Sequence, residues 1–189
     1  MTTNALRSRA GRLALPRWVL VWFIVTAIIQ TYDACYVLLG PLSHTGGPLS
    51  WLWAGHVLYG NYDATYGGTH SDAWGEAQSW LNLIEVVVLL VILANRRKPV
   101  AVVLGLIVST ATFWKTVAYF AIEICSGLAK TQHSLEQGDL AGFLFIGVLP
   151  NLFWIVIPLL VVIALGRQVH AVLHEAGMPA ELGDPANLR

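Results

Sequence analysis

Acidic, basic and aromatic side chains stand inside long apolar stretches of this sequence, at spacings that gather them on shared helix faces. Gln30, Asp33 and Tyr36 follow one another at intervals of three, so they share one face of a helix. Glu76 opens a later apolar stretch. Glu85, nine residues on, falls about half a turn out of phase with it, so a straight helix cannot send both carboxylates into one small pocket. Lys115, Tyr119 and Glu123 recur at i, i+4, i+8, and Asn151, Trp154 and Pro158 at i, i+3, i+7, which marks two further inward faces. An ionisable group inside a membrane span costs at least about 2.5 kcal/mol on insertion scales, so each one needs a partner, an interface or a cavity.

A carboxyl kept neutral by apolar burial can protonate an alkene or an epoxide. Asp33 and Glu76, expected at a similar depth, are the candidate catalytic acids. The carbocation so formed needs a dry pocket with electron-rich faces, where each aromatic ring contributes about 2 kcal/mol or more once desolvated. Trp154, Tyr119, Trp114, Tyr32 and Tyr36 are the candidate rings, and with Gln30 and Asn151 they make up the expected substrate-binding set. The second carboxylate, Gln30, Asn151 or water would take up the proton that leaves a neighbouring carbon. No metal or cofactor is expected. His44, His56, His70 and His133 lie in loops without ligand spacing, and the His170 and His174 pair lacks a third ligand. Neither an Asp-rich nor a Gly-rich phosphate site is present. Each feature also has a plainer reading. Glu85 and Lys115 would form a buried ion pair between spans, Asp33 and Glu76 a polar patch near the membrane surface, Trp154 a packing ring and Glu123 an interfacial carboxylate.

The elements that would position these groups are membrane helices. The 189 residues are 56% hydrophobic and 12% charged, with a mean hydropathy of +0.63, outside the range of an ordinary soluble domain. Eleven basic and eleven acidic side chains cancel, which excludes a basic nucleic-acid-binding surface. Apolar runs at about Trp18 to Leu39, Trp74 to Ala94, Val100 to Ile124 and Leu140 to Leu165 each approach the roughly 20 residues that cross a bilayer. The expected fold is thus an all-α membrane protein, a four-helix transmembrane bundle. Arg7, Arg9, Arg12 and Arg17, the Arg96–Arg97–Lys98 turn and Arg167 share one side, while the other two loops contain only Lys130, so both termini are expected to be cytosolic. The domain reading is a basic tail over 1–17, a transmembrane domain over 18–166 and a mobile C-terminal tail over 167–189, which opens with one or two more helical turns before Gly177, Pro179, Gly183 and Pro185 break the pattern. The first apolar run is too long for a signal-peptide core and is expected to be retained. The Gly-rich stretch from Gly40 to Asp72 reads as a folded lid. Cys35 and Cys125 belong to no CxxC pair and read as packing residues.

The segment Asn151-Leu-Phe-Trp154-Ile-Val-Ile-Pro158 resembles the last bundle helix of the emopamil-binding-protein family, the EXPERA superfamily, where an Asn-x-x-Trp-x-x-x-Pro pattern recurs. Phe113 to Phe120, ending in Tyr119-Phe120 and followed by Gln137-Gly138-Asp139, is similar to the family's aromatic helix and acidic loop. Glu76 stands as far ahead of the Arg96-to-Pro99 turn as the family's acid stands ahead of its own, and Ile29 to Leu38 looks like the first helix of the sigma-2 receptor branch, which also carries an Asp. The resemblance runs from about residue 18 to 166.

It implies a four-span bundle of EXPERA type, residing in the endoplasmic reticulum and working on a sterol-like or terpenoid lipid dissolved in the bilayer. The family's isomerases use a His and a Glu one turn apart, at positions matched here by Gln30 and Ala34. The resemblance therefore implies an isomerase or terpene cyclase of natural-product biosynthesis in preference to a sterol isomerase of housekeeping metabolism. A non-catalytic protein that binds sterols or lipophilic amines, like the sigma-2 receptor, remains the alternative. The partners are then lipid and bilayer, not nucleic acid, with a second copy of the chain left open.

Overall fold

The computed structural model describes residues 13–67, 71–136 and 138–177. The Arg7, Arg9 and Arg12 cluster, His70, Gln137 and the tail beyond residue 177 lie outside the described residues, as does the side chain of His133. The described residues are helices and turns, without strands. Four helices are long and apolar enough to cross a membrane. They are α1 (Arg17–Leu38), α3 (Ala73–Ala94), α4 (Pro99–Cys125) and α5 (Leu149–Gly177), with the short α2 (Ala54–Tyr59) between the first two. A 22-residue helix is about 33 Å long, the thickness of a hydrocarbon core, so bilayer dimensions explain why the apolar runs and the helices nearly coincide.

Local sequence sets the helix ends. Asp72 caps α3, its side chain accepting from Gly75 N at 2.8 Å. Pro99 begins α4 at the position where a missing N–H costs nothing. The fourth apolar run opens with one turn at Leu140–Gly142 and a π-helical stretch at Phe143–Val148 before α5 proper. Pro150 has no N–H to give the carbonyl four residues earlier, and the widened coil lies where that bond is lost. The last long helix runs on beyond Arg167 by a few turns, to Gly177, in keeping with the sequence.

α1 packs along α3, α4 along α5, and α3 against α4. The dry core is gathered at the end marked by the 95–98 turn, where Val19, Phe23, Leu89, Ile92, Val102, Val161 and Leu165 are buried together. Gly105 belongs to this contact: a Cβ there would fall 3.0 Å from Leu165 Cδ1 and 3.1 Å from the Phe23 ring. Gly105→Val is expected to overpack the seam by about 1–3 kcal/mol, measured as a lowered melting temperature in detergent.

The opposite end is polar and roofed. The lid, from Gly40 to Gly67, carries 3-10 turns at Gly40–Leu42 and Ser50–Trp53 and then α2. It is fastened to the loop after α4 by Ala64 N donating to Lys130 O at 3.0 Å, while Lys130 Nζ pairs with Asp72 at 2.8 Å. Glu123, expected at the interface, is instead buried. Its Oε1 accepts from the backbone N–H of Lys130 and Thr131 and from the Thr131 hydroxyl, because the loop folds back over the end of α4.

Candidate functional site

Under the lid the four long helices part around a cavity of about 410 Å3. α1 contributes Ile29, Gln30 and Asp33; α2 gives His56 and Tyr59; α3 gives Gln78 and Asn82; α4 gives Thr112, Lys115 and Tyr119; α5 gives Asn151 and Trp154. On α3, Gln78, Asn82 and Glu85 follow i, i+4, i+7, so one polar stripe faces α1.

Two hydrogen-bonded groups border this space, each with some of its members in the wall. In the first, Asp33 Oδ2 accepts from Asn82 Nδ2 at 2.8 Å, and Asp33 Oδ1 lies 3.1 Å from His56 Nε2. Ionised carboxylate oxygens only accept, so the imidazole nitrogen carries the proton in that bond. Lys115 Nζ donates to Asn82 Oδ1 at 2.5 Å and pairs with Glu85 Oε1 at 2.8 Å; Glu85 Oε2 accepts from Gln30 and from Thr112. Two carboxylates, Asp33 and Glu85, thus stand near one ammonium, with the His56 ring against the first of them.

The second group lies around Asp63, which is almost fully buried. Tyr119 donates to Asp63 Oδ2, Tyr59 does so at 3.3 Å, and Thr65 N donates to Oδ1 at 2.8 Å. Asn151 Nδ2 donates to Tyr59 Oη at 2.8 Å and to Gly147 O at 2.9 Å, which ties this group to the π-helical segment. Burial raises the Asp63 carboxyl above its ordinary value, against the opposing pull of the Thr65 bonds and Lys130. Burial, and then Asp63, push the Tyr59 phenol well above its usual value. Tyr66 is pushed up in the same way, by burial and then by Asp33 and Asp63 on either side.

Of the residues singled out in the sequence, Asp33, Gln30, Tyr119, Asn151 and Trp154 meet in this cavity. Glu76 is not among them. It is exposed on the first turn of α3, and the inward carboxylate of that helix is Glu85, as the half-turn phase difference requires of one of the two. Trp114 is 61% exposed on the outer face of α4, a quarter turn away from Lys115. Tyr32 stacks on Trp53 at the rim and donates to Leu52 O at 2.5 Å, outside the lining. Tyr36 is fully buried beneath the lid, with His44 stacked on it and its hydroxyl donating to Tyr66 O. His56, Tyr59, Asp63, Tyr66 and Asn82 were not singled out. Only Asn82 carried a signal, the i, i+3 spacing to Glu85.

The fold and this site define a helical bundle of membrane type with a capped, partly polar cavity at one end. No protein-family model matches the chain, and no curated protein matches it either. Among the described residues no cluster of three or more His, Cys, Asp or Glu side chains is arranged to hold a metal ion.

Proposed function

We propose that this chain is a membrane-embedded isomerase or cyclase that starts carbocation chemistry by protonating a terpenoid or sterol-like lipid. The observation that carries this reading is the His56–Asp33 pair set into a cavity wall that also holds Trp154, Tyr59 and Tyr66. The imidazolium of His56 gives its proton to an olefinic carbon or an epoxide oxygen, and Asp33 holds and charges the ring. The N–H bond breaks as a C–H or O–H bond forms, and the positive charge passes to carbon. The aromatic faces then stabilise it where water is sparse. Loss of a proton from a neighbouring carbon makes the new double bond, so the sequence is redox-neutral. Asp33, with its partners His56 and Asn82, takes the role that the sequence reading divided between Asp33 and Glu76.

The cavity volume suits a ligand of roughly sesquiterpenoid size, within the usual range of small-molecule pockets. Ile29 on α1 and Pro150 on α5 line it and are exposed, which supports an opening between these helices and entry from the bilayer. The EXPERA-type assignment, the cytosolic termini and the endoplasmic reticulum belong to the same proposal, supported by the motifs around Asn151 and by the basic 95–98 turn.

The test incubates membranes carrying the chain with epoxyfarnesol, farnesol and a delta8 sterol in deuterated buffer and analyses the lipids by mass spectrometry. A new product, lost in Asp33→Asn, is the expected result; it bears one retained deuterium where carbon is protonated, and only an exchangeable O–D where the epoxide oxygen is. No product, together with binding of a lipophilic amine that Asp33→Asn abolishes, would replace this reading with the receptor-like one. Glu76→Gln is expected to leave the product rate within about twofold in the same assay, as for a surface substitution.

A further inference from the structure

The reading above needs a group that takes a proton from the carbocation, and the structure carries one that it does not use. Tyr59 Oη lines the cavity, accepts from Asn151 Nδ2 at 2.8 Å and donates to Asp63 Oδ2 at 3.3 Å. Asn151 occupies one lone pair of the phenol oxygen, and the neighbouring Tyr119 hydroxyl, 3.4 Å away, holds the other only at long range. Behind it Asp63 is 1% exposed, absent from the cavity lining and joined to the lining by its hydrogen bonds to Tyr59 and Tyr119. A carboxylate placed so can receive a proton without meeting the carbocation and alkylating itself.

We infer that Tyr59 is the proton acceptor of the reaction, passing its own phenolic proton on to Asp63; this rests on the function proposed above. The leaving C–H bond gives its electron pair to the new carbon–carbon double bond, and its proton forms a bond to Tyr59 Oη. The former Tyr59 O–H breaks as a new O–H forms on Asp63. Tyr59 is neutral before and after, Asp63 ends protonated and His56 ends neutral. Exchange with water at the lid restores both, and no oxidant, reductant or co-reactant enters. Burial makes Asp63 a better base than an exposed carboxylate.

Tyr59 is preferred to Tyr119 because it shares α2 with the donor. His56 and Tyr59 stand at i, i+3 on one face, with Cβ atoms about 5–6 Å apart. A proton added by one and removed by the other enters and leaves the ligand at neighbouring carbons. That geometry suits a double-bond shift, or the closing step of a ring.

The measurement is the ratio of olefin to water-captured alcohol formed from epoxyfarnesol, farnesol and the delta8 sterol, read by mass spectrometry on detergent-solubilised full chain. Wild type should give mainly olefin. Tyr59→Phe should still consume the lipid but lower the olefin-to-alcohol ratio at least tenfold, because the cation persists until water captures it. His56→Gln should give neither product. Asp63→Asn keeps an oxygen for Thr65 N but cannot take up the proton, and should lower the same ratio; it serves if Tyr59→Phe fails to fold by circular dichroism. An unchanged ratio in a folded Tyr59→Phe overturns this inference alone, and so does its complete silence, which would place Tyr59 on the donor side. No consumption of any of the three lipids by wild type removes the functional reading, and the inference with it.

Discussion

Lys115→Met is expected to destabilise the bundle by about 3–5 kcal/mol, the largest effect of any single substitution in the polar half of the molecule. Lys115 and Glu85 pair at 2.8 Å with side chains only 12% and 9% exposed. Removing the ammonium strands the Glu85 carboxylate among α1, α3 and α4, where Gln30 and Thr112 supply two hydrogen bonds but no charge. Asn82 also loses the donor that holds its carbonyl oxygen and so orients its amide towards Asp33. On the scale of soluble proteins of this size the loss corresponds to a melting temperature lower by roughly 6–20 °C, read by thermal unfolding in detergent. Glu85→Gln should be costly for the mirror reason. The double variant, Glu85→Gln with Lys115→Met, should recover much of the loss, since a neutral pair strands no charge. If the single variants cost under about 1 kcal/mol, water reaches the pair and the cavity is wetter than the carbocation reading tolerates.

The long helices were legible because one length scale governs them. Trp18–Leu39 becomes Arg17–Leu38, and Val100–Ile124 becomes Pro99–Cys125, since roughly 20 apolar residues, whatever their order, match the bilayer. Helical phase was legible too. It places Lys115 inward and its neighbour Trp114 outward, and it allows only one of Glu76 and Glu85 to face the cavity. Phase alone does not say which. The family resemblance, through the distance to the Arg96 turn, pointed to Glu76, whereas Asn82 and Glu85 settle against Asp33 and Gln30 because these polar groups on the two helices bond one another. The lid resisted reading for a different reason. His56 and Tyr59 sit on the six-residue α2 and Asp63 in the turns after it, too short a helix to show a period, and their partners Asp33, Asn151 and Tyr119 lie 23, 92 and 56 positions away. No local spacing encodes such contacts. They arise only when the lid folds over the bundle. Tyr36 shows the complementary failure: its helix face was evident, but not that the lid would cover the ring and use its hydroxyl as an anchor.

The same lid carries the largest expected effect on activity. His56→Gln should lower the rate of product formation by about 10²–10⁴-fold, the range for loss of a general acid. Glutamine keeps a polar N–H close to the position of Nε2, so the bond to Asp33 can re-form and folding should survive; what it cannot do is release a proton to carbon. Asp33→Asn should cause a loss of similar size by another route. The asparagine oxygen still accepts a bond but no longer offers the charge that favours imidazolium, while Asn82 meets an amide that cannot accept as the second carboxylate oxygen does. If the two residues act as one unit, the double variant should be little worse than either single one, whereas independent contributions would multiply. Near-additive losses would mean that Asp33 and His56 act separately, with Asp33 itself the acid. A His56→Gln rate within threefold of wild type would remove His56 from the chemistry and leave it as a roof that only covers Asp33.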